Sequence, residues 1–212
     1  MFTGIIQAIG QISTITATPY GQQWHIALPA KILATLQHGA SLNVDGVCLT
    51  VVDSSQREVC VDIVTHTLTV TNLADRRVGD SLNIERALSL GGEVGGHLLS
   101  GHVSTTATLV AVDSSAAHYA LSLALDARWS PYLFERGFVA LDGVSLTVAE
   151  VWPEQHRFKV VLIPETLRAT TLASYRPMER INIEIEHQTQ VLVNVLRSVL
   201  SATPNAGTSG TA

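Results

Sequence analysis

The chain states one pattern twice. Asp45-Gly46-Val47-Cys48-Leu49-Thr50-Val51 returns as Asp142-Gly143-Val144-Ser145-Leu146-Thr147-Val148, an offset of 97 (45 to 142). Upstream, Phe2-Thr3-Gly4-Ile5 pairs with Leu99-Ser100-Gly101-His102 at the same offset. Downstream, Thr67-Leu68 pairs with Thr166-Leu167, and Ser81-Leu82-Asn83-Ile84-Glu85 with Arg180-Ile181-Asn182-Ile183-Glu184. Four blocks in one order at one long period mean two tandem copies of a domain, not a solenoid of short repeats. The polar positions at which the copies differ are where their roles can have diverged.

Two domains in 212 residues are each small but long enough to bury a core. A hydrophobic content of 46% excludes a disordered chain. The net charge of −5, with no cluster of Lys and Arg, argues against a nucleic-acid partner, because nothing gathers cations to neutralise phosphates. No basic region followed by an apolar run opens the chain, so no signal peptide is expected. No stretch of about 18 apolar residues predicts a membrane span. The two cysteines, Cys48 and Cys60, both fall in the first copy, which argues against a disulfide common to both copies and makes a reducing cytoplasm the simplest compartment. Two isolated cysteines without clustered ligands predict no metal site.

Period-two alternation predicts strands over 11–16, 24–28, 59–64, 120–125 and 158–163, with turn residues every 8–12 positions. About six short strands per copy predict an all-β fold: two tandem, similar six-stranded Greek-key β-barrels, each closed on itself so that no sheet edge is exposed. Short helices are expected near 29–36 and 131–135. Residues 87–96 form a Gly-rich join. Val191, Leu192, Val195, Leu196, Val199 and Leu200 lie on one helical face, with no counterpart in the first copy, and that face needs either another subunit or its own barrel to pack on. The expected domains are a first barrel over 1–96, a second over 97–186, a C-terminal helix over 187–203 and a disordered tail over 204–212.

Cys48 lies just past a glycine turn, where the second copy carries Ser145. Its plain reading is a small buried hydrophobe. Alternation, however, puts Cys48 with Thr50, and Ser145 with Thr147, on one strand face, which suits hydrogen bonding to a polar heterocycle better than a hydrocarbon core. His97 and His102, in Gly95-Gly96-His97-Leu98-Leu99-Ser100-Gly101-His102, titrate near neutrality and are candidates for proton transfer. His102 has Ile5 as its counterpart, so a site that used both Cys48 and His102 would join different copies, within one chain or between subunits. Thr65-His66-Thr67 and Pro164-Glu165-Thr166 end apolar strands. They read either as turn and helix openings or as the rim of a pocket.

Taken together, Met1-Phe2-Thr3-Gly4-Ile5-Ile6, the two Asp-Gly-Val motifs, the Gly95–His102 motif and Leu162-Ile163-Pro164-Glu165-Thr166-Leu167 resemble the riboflavin synthase α-chain family over about residues 1–203. The resemblance implies a homotrimer joined through the C-terminal helices. It implies dismutation of two 6,7-dimethyl-8-ribityllumazine molecules to riboflavin and 5-amino-6-ribitylaminouracil by transfer of a four-carbon unit, with neither cofactor nor metal. It places the site between the first barrel of one subunit and the second barrel of its neighbour, and leaves lumazine synthase as a candidate partner. On this resemblance His102 transfers a proton with Ser145 and Thr147 orienting it or the substrate, while Cys48 and Ser41 lie at the other ring. Phe2 packs the N-terminal segment over the pocket, and Gly4 permits close approach. Main-chain groups at Gly4, Ile5 and Ile6, at Cys48, Leu49 and Thr50, at Gly101, His102 and Val103, and at Ser145, Leu146 and Thr147 bind the ring edges. Asp62, Ile63, Val64, Thr65, His66 and Thr67, with Leu162, Ile163, Pro164, Glu165 and Thr166, help with ring or ribityl chain. His97 and Arg136 complete the expected set.

Three positions depart from the family pattern. Arg136 stands where Lys is common, which keeps the charge but removes a deprotonatable amine. Asp45 stands where the first barrel often has Asn, and His66 where Glu is frequent. The main rival reading is a non-catalytic lumazine- or flavin-binding antenna protein. A plain interaction module with Cys48 in its core is the third.

Overall fold

A computed structural model describes residues 1–115 and 118–202; the expected tail over 204–212 lies outside the described residues. The first copy forms β1 (Ala8–Thr18), β2 (Gly21–Ala27), β3 (Ser41–Val44), β4 (Val47–Ser54), β5 (Glu58–Val64) and β6 (Ser81–Arg86). The second forms β7 (Thr105–Ser114), β8 (Tyr119–Ala124), β9 (Phe138–Leu141), β10 (Val144–Trp152), β11 (Arg157–Leu162) and β12 (Arg180–Ile185). Each set closes into an antiparallel barrel, in the orders β1-β2-β5-β4-β3-β6 and β7-β8-β11-β10-β9-β12. Even the irregularities repeat, with register shifts between Ile12 and Thr14 and between Leu109 and Ala111, and again after Val51 and after Val148. Bulges bend a strand locally, which a small barrel needs in order to close.

The strands follow the alternation in the sequence. Val47, Leu49 and Val51 point into the first barrel, as do Val144, Leu146 and Val148 into the second. The two interiors are filled differently at equivalent rungs. Trp24 faces Val61 and Ile26 faces Val59 in the first, whereas Leu121 faces Val160 and Leu123 faces Phe158 in the second. One large aromatic per barrel, Trp24 or Phe158, fills the space.

The helices depart from expectation in detail. The one expected near 29–36 is a single turn, α1 (Ala30–Leu33). The one expected near 131–135 is a 3-10 turn over Ser130–Tyr132, because Pro131 has no N–H to donate and the segment ends at Leu133 in extended backbone. Thr65-His66-Thr67 and Pro164-Glu165-Thr166 open short helices, α2 (Thr65–Val70) and α3 (Pro164–Ala169), as the turn-and-helix reading expects. The C-terminal helix α4 runs over His187–Ala202. No helix among the described residues is long and apolar enough to cross a membrane.

The barrels meet across an approximate two-fold relation. The Asp45-Gly46 and Asp142-Gly143 turns, all four residues at positive φ, are the Asp-Gly hairpin turns that favour this conformation. They abut so closely that a Cβ at Gly143 would stand 2.9 Å from the amide of Gly46. Asn83 and Asn182 stitch the halves reciprocally. Asn83 Oδ1 accepts from the amide of Thr171 (2.8 Å) and Asn182 Oδ1 from the amide of Asn72 (2.7 Å). Their Nδ2 groups donate to the carbonyls of Asp142 (3.1 Å) and Asp45 (2.7 Å). Between the turns, buried Asp45 and Asp142 share Arg76 at 2.6 and 3.5 Å, and the Tyr175 hydroxyl donates to Asp142.

Candidate functional site

The leading segment of each copy crosses to the other barrel. Phe2 and Leu99 form an isolated antiparallel bridge between the two segments, and both side chains are buried with Ala140. Beyond that crossing, Gly4 offers its carbonyl to the amide of Ser145 on β10 (2.9 Å), and Gly101 offers its carbonyl to the amide of Cys48 on β4 (2.8 Å). Ile6 then packs on the core of the second barrel and Val103 on that of the first. Only glycine fits these contacts. Gly4 and Gly101 have φ of 75° and 77°, and an added Cβ would lie 2.5 Å from Ser145 Cβ or 2.6 Å from Cys48 Cβ.

Two buried carboxylates on matching strands hold the crossing. Glu85 on β6 accepts from Thr3 N (2.7 Å), Thr3 Oγ1 (2.8 Å) and Gly4 N (3.0 Å). Glu184 on β12 accepts from Ser100 N (2.7 Å), Ser100 Oγ (2.7 Å) and Gly101 N (3.1 Å). Burial raises both carboxyls above the ordinary range, and these hydrogen bonds pull them back down. Neither Glu is an expected site residue, although the recurrence of a charged residue within the apolar strands Asn83-Ile84-Glu85 and Asn182-Ile183-Glu184 is the signal that marks them.

The expected residues thus gather into two surfaces, each built from both copies. On the first barrel are Ser41, Cys48, Leu49, Thr50 and the end of β5, covered by Gly101, His102 and Val103. On the second are Arg136, Ser145, Leu146, Thr147 and the end of β11, covered by Gly4, Ile5 and Ile6. Cys48 and Thr50 point outward, as do Ser145 and Thr147, and Ser41 stands opposite Thr50. Leu49, Ile63, Leu146 and Leu162 point inward and are buried, so only their main-chain groups face outward. Val64 and Ile163 are exposed apolar residues at the two strand ends. His66 and Thr67 follow in α2, and Glu165 and Thr166 in α3, where Glu165 is ion-paired with Arg168.

Phe2 is wholly buried at the crossing. Within one chain the exchange of segments sets His102 beside Gly101 and Cys48, where it is exposed; a meeting with Ser145 and Thr147 is one between subunits, as the resemblance implies. The histidine that touches Ser145 is His97, with Nδ1 2.7 Å from Ser145 Oγ. Its ring stacks on Phe138, with centroids 5.1 Å apart and planes inclined by 15°. Burial lowers its pKa, opposed by the charge of Glu186, so the ring is neutral at pH 7 and Nδ1 can exchange a hydrogen bond with the hydroxyl.

A groove of about 730 Å³ opens between the barrels at Asn72, Arg76, Tyr175 and Arg180. None of the expected site residues lines it.

With this geometry in place, the comparisons with known proteins are specific. The lumazine binding domain family matches twice, over residues 3–87 and 100–186, so its limits bracket the two barrels. The chain is 42% identical to the riboflavin synthase of Escherichia coli (strain K12), covering 97% of this chain and 96% of that one. It is 40% identical to the riboflavin synthase of Chlamydia pneumoniae, covering 95% and 98%. Among solved structures, LumP complexed with 6,7-dimethyl-8-(1'-D-ribityl) lumazine superposes with a TM-score of 0.79 at 22% identity, covering 88% of this chain and 100% of that one. LumP complexed with riboflavin superposes equally well at 24% identity. At such identities the LumP likeness speaks for the fold alone.

Proposed function

The chain belongs to the riboflavin synthase family, and from that membership we propose that it dismutates two molecules of 6,7-dimethyl-8-ribityllumazine to riboflavin and 5-amino-6-ribitylaminouracil. A four-carbon unit passes from one substrate to the other, and the two products together contain all the atoms of the two substrates, so no outside oxidant or carbon source enters. The observation that carries this reading is the reciprocal crossing of the leading segments onto Ser145 and Cys48. It supports two similar surfaces, one for each of two identical molecules, that differ in their reactive side chains.

In this reading one lumazine loses a proton from its 7-methyl group, and the carbanion is stabilised by delocalisation into the ring. The other lumazine is made electrophilic by addition of a nucleophile at its ring, water or a site hydroxyl or thiol. Cys48, His102 and Ser41 serve the first-barrel surface; Ser145, Thr147, His97 and Arg136 serve the second. His102 and Thr147 act together only if the first barrel of one subunit faces the second barrel of another. The exposed apolar residues of α4, Val191, Leu192, Val195, Leu196, Val199 and Leu200, support such an assembly, and a homotrimer is the proposed form. Holding the two rings face to face turns a bimolecular step into a local one, an effect worth up to about 7–11 kcal/mol in well-oriented systems. The two unpaired cysteines suit a reducing, cytoplasmic setting.

The test is anaerobic incubation of the protein with 6,7-dimethyl-8-ribityllumazine, alongside His102→Ala and Cys48→Ser. Riboflavin and the uracil product at one to one, slowed at least tenfold in the variants, are expected. Binding without turnover would instead assign the chain to the antenna proteins.

A further inference from the structure

The outward faces of the two barrels carry the same rungs with opposite chemistry. In the first, Ser41 on β3 stands opposite Thr50 on β4. Continuing the Val51–Val61 register by one residue sets Thr50 opposite Asp62 on β5, and Asp62 pairs with Gln23 on β2. In the second, Phe138 stands opposite Thr147, the Val148–Val160 register sets Thr147 opposite Val161, and Val161 pairs with Ala120. Beside a shared threonine, one row reads Ser, Asp, Gln and the other Phe, Val, Ala. Phe138 and Val161 leave 48% and 43% of their surface exposed, an apolar wall where the first barrel is polar.

Asp62 is oriented by neutral donors. Its Oδ1 accepts from Gln23 Nε2 at 2.9 Å and its Oδ2 from the Tyr20 hydroxyl at 3.3 Å. Among the described residues it takes part in no ion pair. A carboxylate has about four lone-pair sites, so two acceptor positions stay available beside Thr50 and Ser41.

Resting on the reading that each barrel holds one ribityllumazine, we infer that Gln23 and Tyr20 are positioning residues for Asp62. They aim its carboxylate at the hydroxyls of the ribityl chain, so the first-barrel surface grips the polyol. The second-barrel surface, with exposed Phe138 and Val161 at the rungs of Ser41 and Asp62 and Ala120 buried beneath, holds its ligand by apolar contact with the flat ring. Gln23 and Tyr20 touch no reacting atom in this scheme; they act through Asp62.

The test uses two probes that share a ring and differ in the tail, 6,7-dimethyl-8-ribityllumazine and 6,7,8-trimethyllumazine, titrated by fluorescence into the full chain. Gln23→Leu keeps the side-chain volume, and Tyr20→Phe changes one exposed hydroxyl. Gln23→Leu is expected to weaken ribityllumazine binding at one class of site by about tenfold, the worth of one hydrogen bond to a charged group, and to leave trimethyllumazine binding unchanged. Tyr20→Phe should act in the same direction by a smaller factor. At the exposed Val161, Val161→Asp should tighten the other class for ribityllumazine alone. An equal loss for both probes would make Gln23 merely structural, and unchanged ribityllumazine binding would also overturn the inference. Failure of the unaltered protein to bind either probe would instead remove the functional reading on which it rests.

Discussion

Arg136 adopts a backbone conformation that the first copy assigns to glycine. Its φ is 67° against 80° at Gly39, and each amide donates to the equivalent β-strand carbonyl, of Val148 or Val51, at 2.8 Å. A side chain in this region costs on the order of 1 kcal/mol, and the proposed role of Arg136 as a cation beside the second-barrel surface would account for it. Arg136→Gly should therefore raise stability by about 0.5–1 kcal/mol in urea unfolding while weakening ribityllumazine binding. The buried cluster between the barrels makes a second residue-scale prediction. Burial pushes the Asp142 carboxyl up to about 7; the neighbouring Asp45 charge adds to this, and Arg76 and the hydrogen bonds of Tyr175 and Asn182 oppose it. Asp45 is likewise raised by burial and pulled back by Arg76. Groups whose folded pKa exceeds the unfolded value near 4 make the folded state hold protons more tightly. Their contribution is therefore most favourable below pH 4 and declines as pH rises through about 7. The thermal midpoint should fall between about pH 4 and about 7, and Asp45→Asn, which removes one of two carboxylates around a single guanidinium, should flatten that fall. Arg76→Leu should cost about 3–5 kcal/mol at pH 8, as for any buried charge left unpaired, and less at pH 5.

The strands and hairpins are legible in the sequence because they depend on near neighbours: alternation sets each face, and Asp-Gly sets each turn. The single-turn helix α1 is overestimated from sequence for the same local reason, since one turn of helix has no periodicity to read. The crossing of the leading segments belongs to this scale too, and it hangs on Glu85 and Glu184. Glu184→Ala should leave the amides of Ser100 and Gly101 without their acceptor, at about 1–3 kcal/mol. Hydrogen exchange should quicken at Ser100, Gly101 and His102 while β10 and β11 keep their protection. The matching change, Glu85→Ala, should free Thr3 and Gly4 instead. If either variant loosened both segments equally, the crossing would be one unit rather than two independent latches.

At the scale of the whole molecule, α4 is the element without an evident function inside one chain. Leu192 and Leu200 expose 61% and 74% of their surface, and Tyr132, which donates to Asn194 at 2.6 Å, is among the side chains that tie the helix to its own barrel. The proposed trimer predicts that a chain ending at Glu186 keeps both barrels and ribityllumazine binding, sediments as a monomer where the full chain sediments as a trimer, and loses riboflavin formation. Retention of the oligomer would move the subunit contact elsewhere. The sequence by itself determined two copies, their strands and their closed barrels, because those follow from periodicity and from a repeat visible by inspection. Only the tertiary structure decided that His102 lies beside Cys48 while His97 takes Ser145, and that Asp45 and Asp142 share Arg76. Those partners lie 31 to 66 residues apart along the chain, and what joins them is the closing of each barrel, the packing of one on the other and the exchange of their leading segments. No local pattern encodes that exchange; it follows from two glycines, two buried glutamates and the space that closing both barrels leaves between them.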